Sequence, residues 1–287
     1  MTTMKKVVLL AMGAAIIAAA CFSAFSSSPS VGHAEFWPGT LADDLGRNVV
    51  LSEPQIRIHE VAKAVEEHKL DDLIKQYKKD VASEKDSAVA NFALGYAYHV
   101  QMAYDPAKPK HMCVKEGMVE RPLQEAIRLD PHLEEAYVTL GAYYVEHSPK
   151  KAVEFLTRYL EQNPDDAEAM YWIAMAYGIS VGAVEGAVLD QAAYAKKYYC
   201  YDPDKRISWL RKASQASPGW LLAHRSLLSS YIGRGQTKTE SGKWVVAEPW
   251  KGLAVEECKT ILKLASPTRD SEVIDRVKQR LDDLTKQ

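Results

Sequence analysis

A pattern of apolar residues that recurs along the chain constrains its folding more than any other feature, and its clearest copy runs from Glu134 to Pro164. Tyr137, Leu140, Gly141 and Tyr144 fall at i, i+3, i+4 and i+7, the spacing of one face of an α-helix. Gly141 is small enough to let a second helix approach that face. After a break at His147-Ser148-Pro149, Ala152, Leu156 and Tyr159 mark the facing stripe of the second helix, and Asn163-Pro164 ends it. The same order returns upstream in Asn91, Leu94, Gly95 and Tyr98 followed by Val119, Leu123, Ala126 and Pro131. It returns downstream in Met170, Ile173, Ala174 and Tyr177 with Arg206, Leu210, Ala213 and Pro218. A weaker copy joins His224, Leu227, Leu228 and Tyr231 to Ala254, Cys258, Ile261 and Pro267. From the last position of each first helix to the first of its partner the steps are 21, 8, 29 and 23 residues, so three copies carry extra chain between their helices.

This order of residues resembles the tetratricopeptide repeat (TPR), a helix pair of about 34 residues. The resemblance implies an all-α fold, a right-handed α-solenoid of helix pairs with inserts between the paired helices. The repeats fall at 88–131, 134–164, 167–218 and 221–267. Before them, residues 52–86 read as a degenerate unit. Its first helix opens at Ser52 or Glu53 before Pro54 and has Ile58, Val61, Ala62 and Val65 on its apolar face. Its second runs from Leu70 to about Val81 and carries Leu73, Ile74, Tyr77 and Val81. After the repeats, residues 269–286 predict a capping helix with Val273, Val277, Leu281 and Leu284 on one side.

The inserts differ in character. Tyr104 to Gly117 is a loop by its prolines. In the second insert Gly178, Gly182 and Gly186 interrupt the helix before a short helical stretch from Asp190 to Tyr199. The third reads as a β-hairpin, Thr237-Lys238-Thr239 and Lys243-Trp244-Val245-Val246 about a Ser241-Gly242 turn.

The amino terminus has a separate logic. Lys5 and Lys6 precede an apolar run from Val7 to Ala20, then a serine-rich passage and Gly32-His33-Ala34, the layout of a secretory signal peptide over residues 1–34. Cleavage after Ala34 releases a soluble protein. Ala18-Ala19-Ala20-Cys21 instead resembles a lipobox, with Cys21 the lipidation candidate and residues 1–20 the signal. Val7 to Phe25 is also just long enough to remain as an uncut anchor. All three readings place the repeats outside the cytoplasm, in the periplasm or anchored facing it. Residues 35–51, with Trp37-Pro38-Gly39, have no helical period and form an extended arm.

Among 287 residues, 47% are hydrophobic and 26% charged, enough apolar chain for a continuous core. A net charge of −2 leaves no basic footprint for nucleic acid. The cysteines form no C-x-x-C or haem-binding pattern. Cys113 and Cys200 each lie 18 residues before their repeat's proline, and in an oxidising compartment they are the candidate disulfide, although positions two repeats apart lie far from each other unless the inserts fold back. The sequence contains no HExxH, nucleophile elbow or phosphate loop, so no catalytic, metal or cofactor residue is assigned and the chain is read as a binder and not an enzyme.

The resemblance also implies which side chains line the concave groove. Carried over residue by residue, its first-helix positions give Phe92, Tyr96 and His99, then Glu135, Val138, Ala142 and Val145. They continue with Glu168, Tyr171 and Met175, then Leu222, Arg225 and Ser229. This lining is apolar and aromatic, with Arg225 towards one end. The clamp for C-terminal carboxylates known in the family needs Lys and Asn where this chain has Phe92 and Tyr96. The expectation is a scaffold that holds a protein or peptide partner in the cell envelope. The alternative is a periplasmic protein binding a small apolar ligand beside a transporter. It comes from Tyr171-Trp172-Ile173-Ala174, the long second insert, Pro218-Gly219-Trp220 and Ala223-His224-Arg225, which are loosely similar to the T component of tripartite periplasmic (TRAP) transporters.

Overall fold

In the computed structural model the chain is described over residues 51–104, 117–179 and 199–286. Residues 1–34, nearly all of the arm at 35–51, the first insert, most of the second, Cys21 and Cys113 lie outside the described residues. Eleven helices and one hairpin are found among the described residues, in sequential pairs. They are α1 (Glu53–Glu66), α2 (Leu70–Ser83), α3 (Ala88–Tyr104), α4 (Glu120–Leu129), α5 (Glu134–His147) and α6 (Pro149–Leu160). Then follow α7 (Ala167–Gly178), α8 (Pro203–Ala216) and α9 (Leu221–Gly235). The hairpin β1 (Gln236–Lys238) and β2 (Trp244–Val246) leads to α10 (Trp250–Leu264) and α11 (Ser271–Thr285).

Local chemistry explains where several helices begin. At α1, Ser52 and Gln55 form a reciprocal capping box, the Ser52 Oγ accepting from the Gln55 amide at 3.4 Å and the Gln55 Oε1 from the Ser52 amide at 3.0 Å. Asp166 caps α7 by accepting from the Ala169 amide at 2.9 Å, and Asp202 caps α8 ahead of Pro203. One register differs from the pattern: α1 buries Ile58, Val61 and Ala64, and Ala62 faces water. Ala64 lies two positions beyond Ala62, or about 200° around the helix.

Each helix packs on the next, and the first helices of successive pairs also touch: α1 on α3, α3 on α5, α5 on α7. The row continues to α9 through Tyr171, whose ring lies 4.9 Å from Trp220 and whose hydroxyl receives the Ser226 Oγ at 3.5 Å. Most of the signature positions lie in the core. Leu123, Leu156, Leu210, Ile173 and Ile261 are wholly buried, each worth about 1.5–3 kcal/mol of transfer free energy.

Within the pairs the two helices meet where the repeat places its smallest residue. A Cβ on Gly141 would sit 2.4 Å from the Leu156 Cδ2 and 2.7 Å from its Cγ, and one on Gly95 would sit 2.6 Å from the Leu123 Cγ. The hairpin is antiparallel, pairing Gln236 with Val246 and Lys238 with Trp244, and turns at Gly242, whose φ of 80° suits glycine. Its root is tight as well, since a Cβ on Gly235 would meet Trp250 and Val246. No helix among the described residues is long and apolar enough to cross a membrane.

Gly141→Ala is therefore expected to be destabilising. Alanine's helix propensity favours it by about 1 kcal/mol, but overpacking a filled core costs about 1–3 kcal/mol. In a Leu156→Ala background the same change should reverse sign and stabilise by up to about 1 kcal/mol, because only propensity remains. Urea unfolding of the four proteins measures this, and an equal effect in both backgrounds contradicts the close-contact account.

Candidate functional site

The first helices α1, α5 and α7 and the turn between α6 and α7 surround an open cleft of about 630 Å³. It is lined by Gln55 and Ile58 of α1, by Glu134, Glu135 and Val138 of α5, by residues 162–166 of the turn and by Glu168 of α7. Three expected inner-face residues, Glu135, Val138 and Glu168, thus border a common space.

The aromatic members of the expected lining lie elsewhere. Phe92 and Tyr96 stack with ring centres 5.8 Å apart and are buried. Tyr171 is buried edge-on to Trp172 at 5.6 Å. His99 is buried edge-on to Tyr143 at 6.4 Å, and its Nδ1 makes no hydrogen bond. Val138 is 5% exposed, and Met175 and Arg225 are half-buried. Cys200 carries a free thiol 3.7 Å from the Ala176 carbonyl oxygen, and its expected partner Cys113 lies outside the described residues.

Electrostatics set the character of the cleft. Burial, reinforced by the negative charges of Asp166 and Glu135, pushes the Glu168 carboxyl up to about 8, so near neutral pH it is mostly protonated. It accepts a hydrogen bond from the Trp172 Nε1 at 3.4 Å. Burial also raises Glu135, with Glu134, Asp130 and Asp166 adding to the effect. Asp166 has two neutral partners, the Ala169 amide and the Tyr159 hydroxyl at 2.8 Å. The space therefore offers carboxyl groups that repel one another and that a cation would relieve. Sequence reasoning placed Glu135 and Glu168 on the inner face but missed Glu134, Asp165 and Asp166, since acidic residues at a helix start are ordinarily read as caps. The available signal was their occurrence at the starts of two successive first helices, which the stack brings side by side.

His224, the first position of the fourth copy, is buried and joins three elements. Its Nδ1 lies 2.8 Å from the Glu257 Oε2 of α10 and its Nε2 3.1 Å from the Pro218 carbonyl. The hydrogen bond to Glu257 raises its pKa above the ordinary histidine value, and the Pro218 carbonyl adds to the rise. Burial does the reverse to His99, holding it neutral. Among the described residues no group of His, Cys, Asp and Glu is arranged to hold a metal ion.

No family model and no curated protein matches the chain. Solved structures that resemble it include MamA from Desulfovibrio magneticus RS-1, at 15% identity and a TM-score of 0.45, covering 75% of this chain and 97% of that one. Another is pilF of Pseudomonas aeruginosa, at 10% identity and a TM-score of 0.47, covering 78% and 86%. A third is YrrB, a TPR protein with an unusual peptide-binding site, at 16% identity and a TM-score of 0.39, covering 72% and 84%. At TM-scores below 0.5 these superpositions assign no site and no partner.

Two outcomes follow from this geometry. Phe92→Ser should lower stability by about 3–5 kcal/mol, the cost of emptying a buried aromatic site, while Met175→Ala costs about 1 kcal/mol. Melting followed by circular dichroism checks this, and an unchanged melting temperature for Phe92→Ser would return that ring to the accessible lining. For His224, a folded-state pKa above the unfolded value of about 6.5 means that its stabilisation is complete below that pH and is lost as pH rises through the folded pKa. The melting-temperature difference between wild type and Glu257→Gln should thus shrink from about pH 6 to pH 9. A constant difference contradicts it.

Proposed function

We propose that this chain is a non-catalytic repeat scaffold acting outside the cytoplasm, which receives a protein or peptide partner along its row of first helices. The observation that carries this reading is the cleft beside α5 and α7, where inner-face residues of two successive repeats border one space of about 630 Å³. Its carboxyl groups favour a partner segment bearing lysine or arginine, with Ile58 and Val138 offering apolar contact to the stem of such a side chain.

Export rests on the residues of the amino-terminal segment, a positive start, an apolar middle and small residues before Glu35. Removing residues 1–34 takes away two lysines and no acid, leaving a protein more acidic than the whole-chain charge of −2. Cell fractionation tests the location, and labelling with a radioactive fatty acid tests whether Cys21 becomes the lipidated terminus.

The partner is tested by a photo-crosslinking residue at Gln162 on the cleft rim and another at Lys278 on the exposed side of α11. Capture of one protein from Gln162 and not from Lys278 is expected, and equal capture from both removes the cleft from the account. A seated cation favours ionised Glu168, so binding below about pH 8 must release a proton. Affinity for the captured partner should therefore rise from about pH 6 to pH 9, and Glu168→Gln should flatten the rise. An unchanged pH profile in that variant would separate Glu168 from recognition.

A further inference from the structure

A second pocket, of about 390 Å³, is built from second helices instead of first ones, between α8 and the start of α10. Buried Ile207 and half-buried Trp250 supply its apolar surface, and Arg211, Lys212 and Asp204 supply its charges. The carboxylate is already engaged. Arg234 holds both oxygens of Asp204, at 2.8 Å and 3.3 Å, with its guanidinium 5.7 Å from the centre of the Trp250 ring. The two remaining cations are not neutralised. Arg211 donates to the Tyr231 hydroxyl at 2.8 Å, and the Lys212 ammonium sits 4.0 Å over the Trp209 ring. Neither pairs with a carboxylate among the described residues.

The hairpin beside this pocket extends the same chemistry. At its root, Gly235 lies close against both Val246 and Trp250. Two residues back along β2, Trp244 is 59% exposed, with the Lys238 ammonium 5.0 Å from its ring centre. Lys243 at the turn is exposed as well. An indole left in water beside uncompensated cations is the surface expected of an interaction site and not of a solvated face.

We infer that the pocket between α8 and α10, with the hairpin at its edge, docks an acidic segment of a protein partner. An aspartate or glutamate meets Arg211 and Lys212, and a neighbouring apolar side chain lies on Trp250 and Ile207. Charge complementarity selects this occupant: the pocket has cations that no carboxylate among the described residues pairs with, and apolar surface beside them, which suit a carboxylate next to an aliphatic side chain. A nucleic acid fits less well, since the chain's net charge of −2 opposes a polyanion and Asp204 stands at the rim. The inner cleft has the opposite charge, so either site can fail while the other stands.

Fluorescence anisotropy with the full chain tests this, the probe being a short labelled peptide of aspartates and glutamates around two leucines. Binding in the range of about 10–100 µM at low salt is expected, weakening several-fold at about 0.5 M salt. Arg211→Ala with Lys212→Ala should weaken it about tenfold and Trp244→Ala about threefold, with helicity retained because all three side chains are exposed. Lys212→Glu should also weaken it and should raise affinity for the matching lysine peptide. Equal affinity of the acidic peptide for wild type and the double variant overturns the proposal, as does equal binding of the lysine peptide to wild type. Tighter binding of a single-stranded oligonucleotide overturns it in favour of a polyanion, and self-association of the chain that the double variant abolishes overturns it in favour of a contact between copies.

Discussion

The structure depends on how closely two helices of one pair can approach. Gly95 against Leu123 and Gly141 against Leu156 leave no room for even a methyl group, so each leucine lies directly on its partner's backbone. Ala174 and Leu210, both wholly buried, hold the corresponding positions in the third pair. Where the fourth pair replaces the small residue with Leu228, its partner positions are Cys258 and Ile261, and the helices are additionally tied by His224 to Glu257. A close pair makes a thin, rigid unit with two apolar edges, which can be buried only against further units. The stack, the row of first helices and the terminal α11 follow from that requirement.

Stacking also decides what the inner face can do. Phe92, Tyr96, His99 and Tyr171 stand where the repeat pattern orients side chains inward, yet they are consumed by contacts within the protein. An aromatic residue buries so much area that it stabilises the array wherever a neighbour can reach it. The inner face is open instead where its residues are short or acidic, at the starts of α5 and α7. There Glu134, Glu135 and Glu168 are first-turn acids and Asp166 is a cap. Packing two helix starts side by side then sums these separate choices into an acidic region, where burial, reinforced by the charges of Asp166 and Glu135, displaces Glu168 to about 8.

Positive charge gathers in the other half of the chain, around α8, α9 and the hairpin. Aromatic rings carry much of it: Arg211 over Tyr231, Lys212 over Trp209 and Lys238 over Trp244. Such pairs hold a cation in place without cancelling it, which carboxylate partners would do. A near-neutral chain thus presents two surfaces of opposite sign, a property invisible in a net charge of −2.

The order of helices, the buried leucines, the hairpin with its turn at Gly242 and the capped start at Ser52 were legible because each depends on residues a few positions apart. Periodicity and capping are local physics, and a single sequence states them directly. The misplacement of Ala62 for Ala64 shows the limit of that reading, since two small residues on one helix can be told apart only by what packs on them. Whether an inward-facing ring is a ligand surface or a core residue, which carboxylates meet, and that Trp250 floors a pocket with Arg211 and Lys212 were decided by the tertiary structure alone. Those outcomes depend on the distance between side chains from different helices, and that distance is set by the stacking of whole units, not by any spacing within the chain.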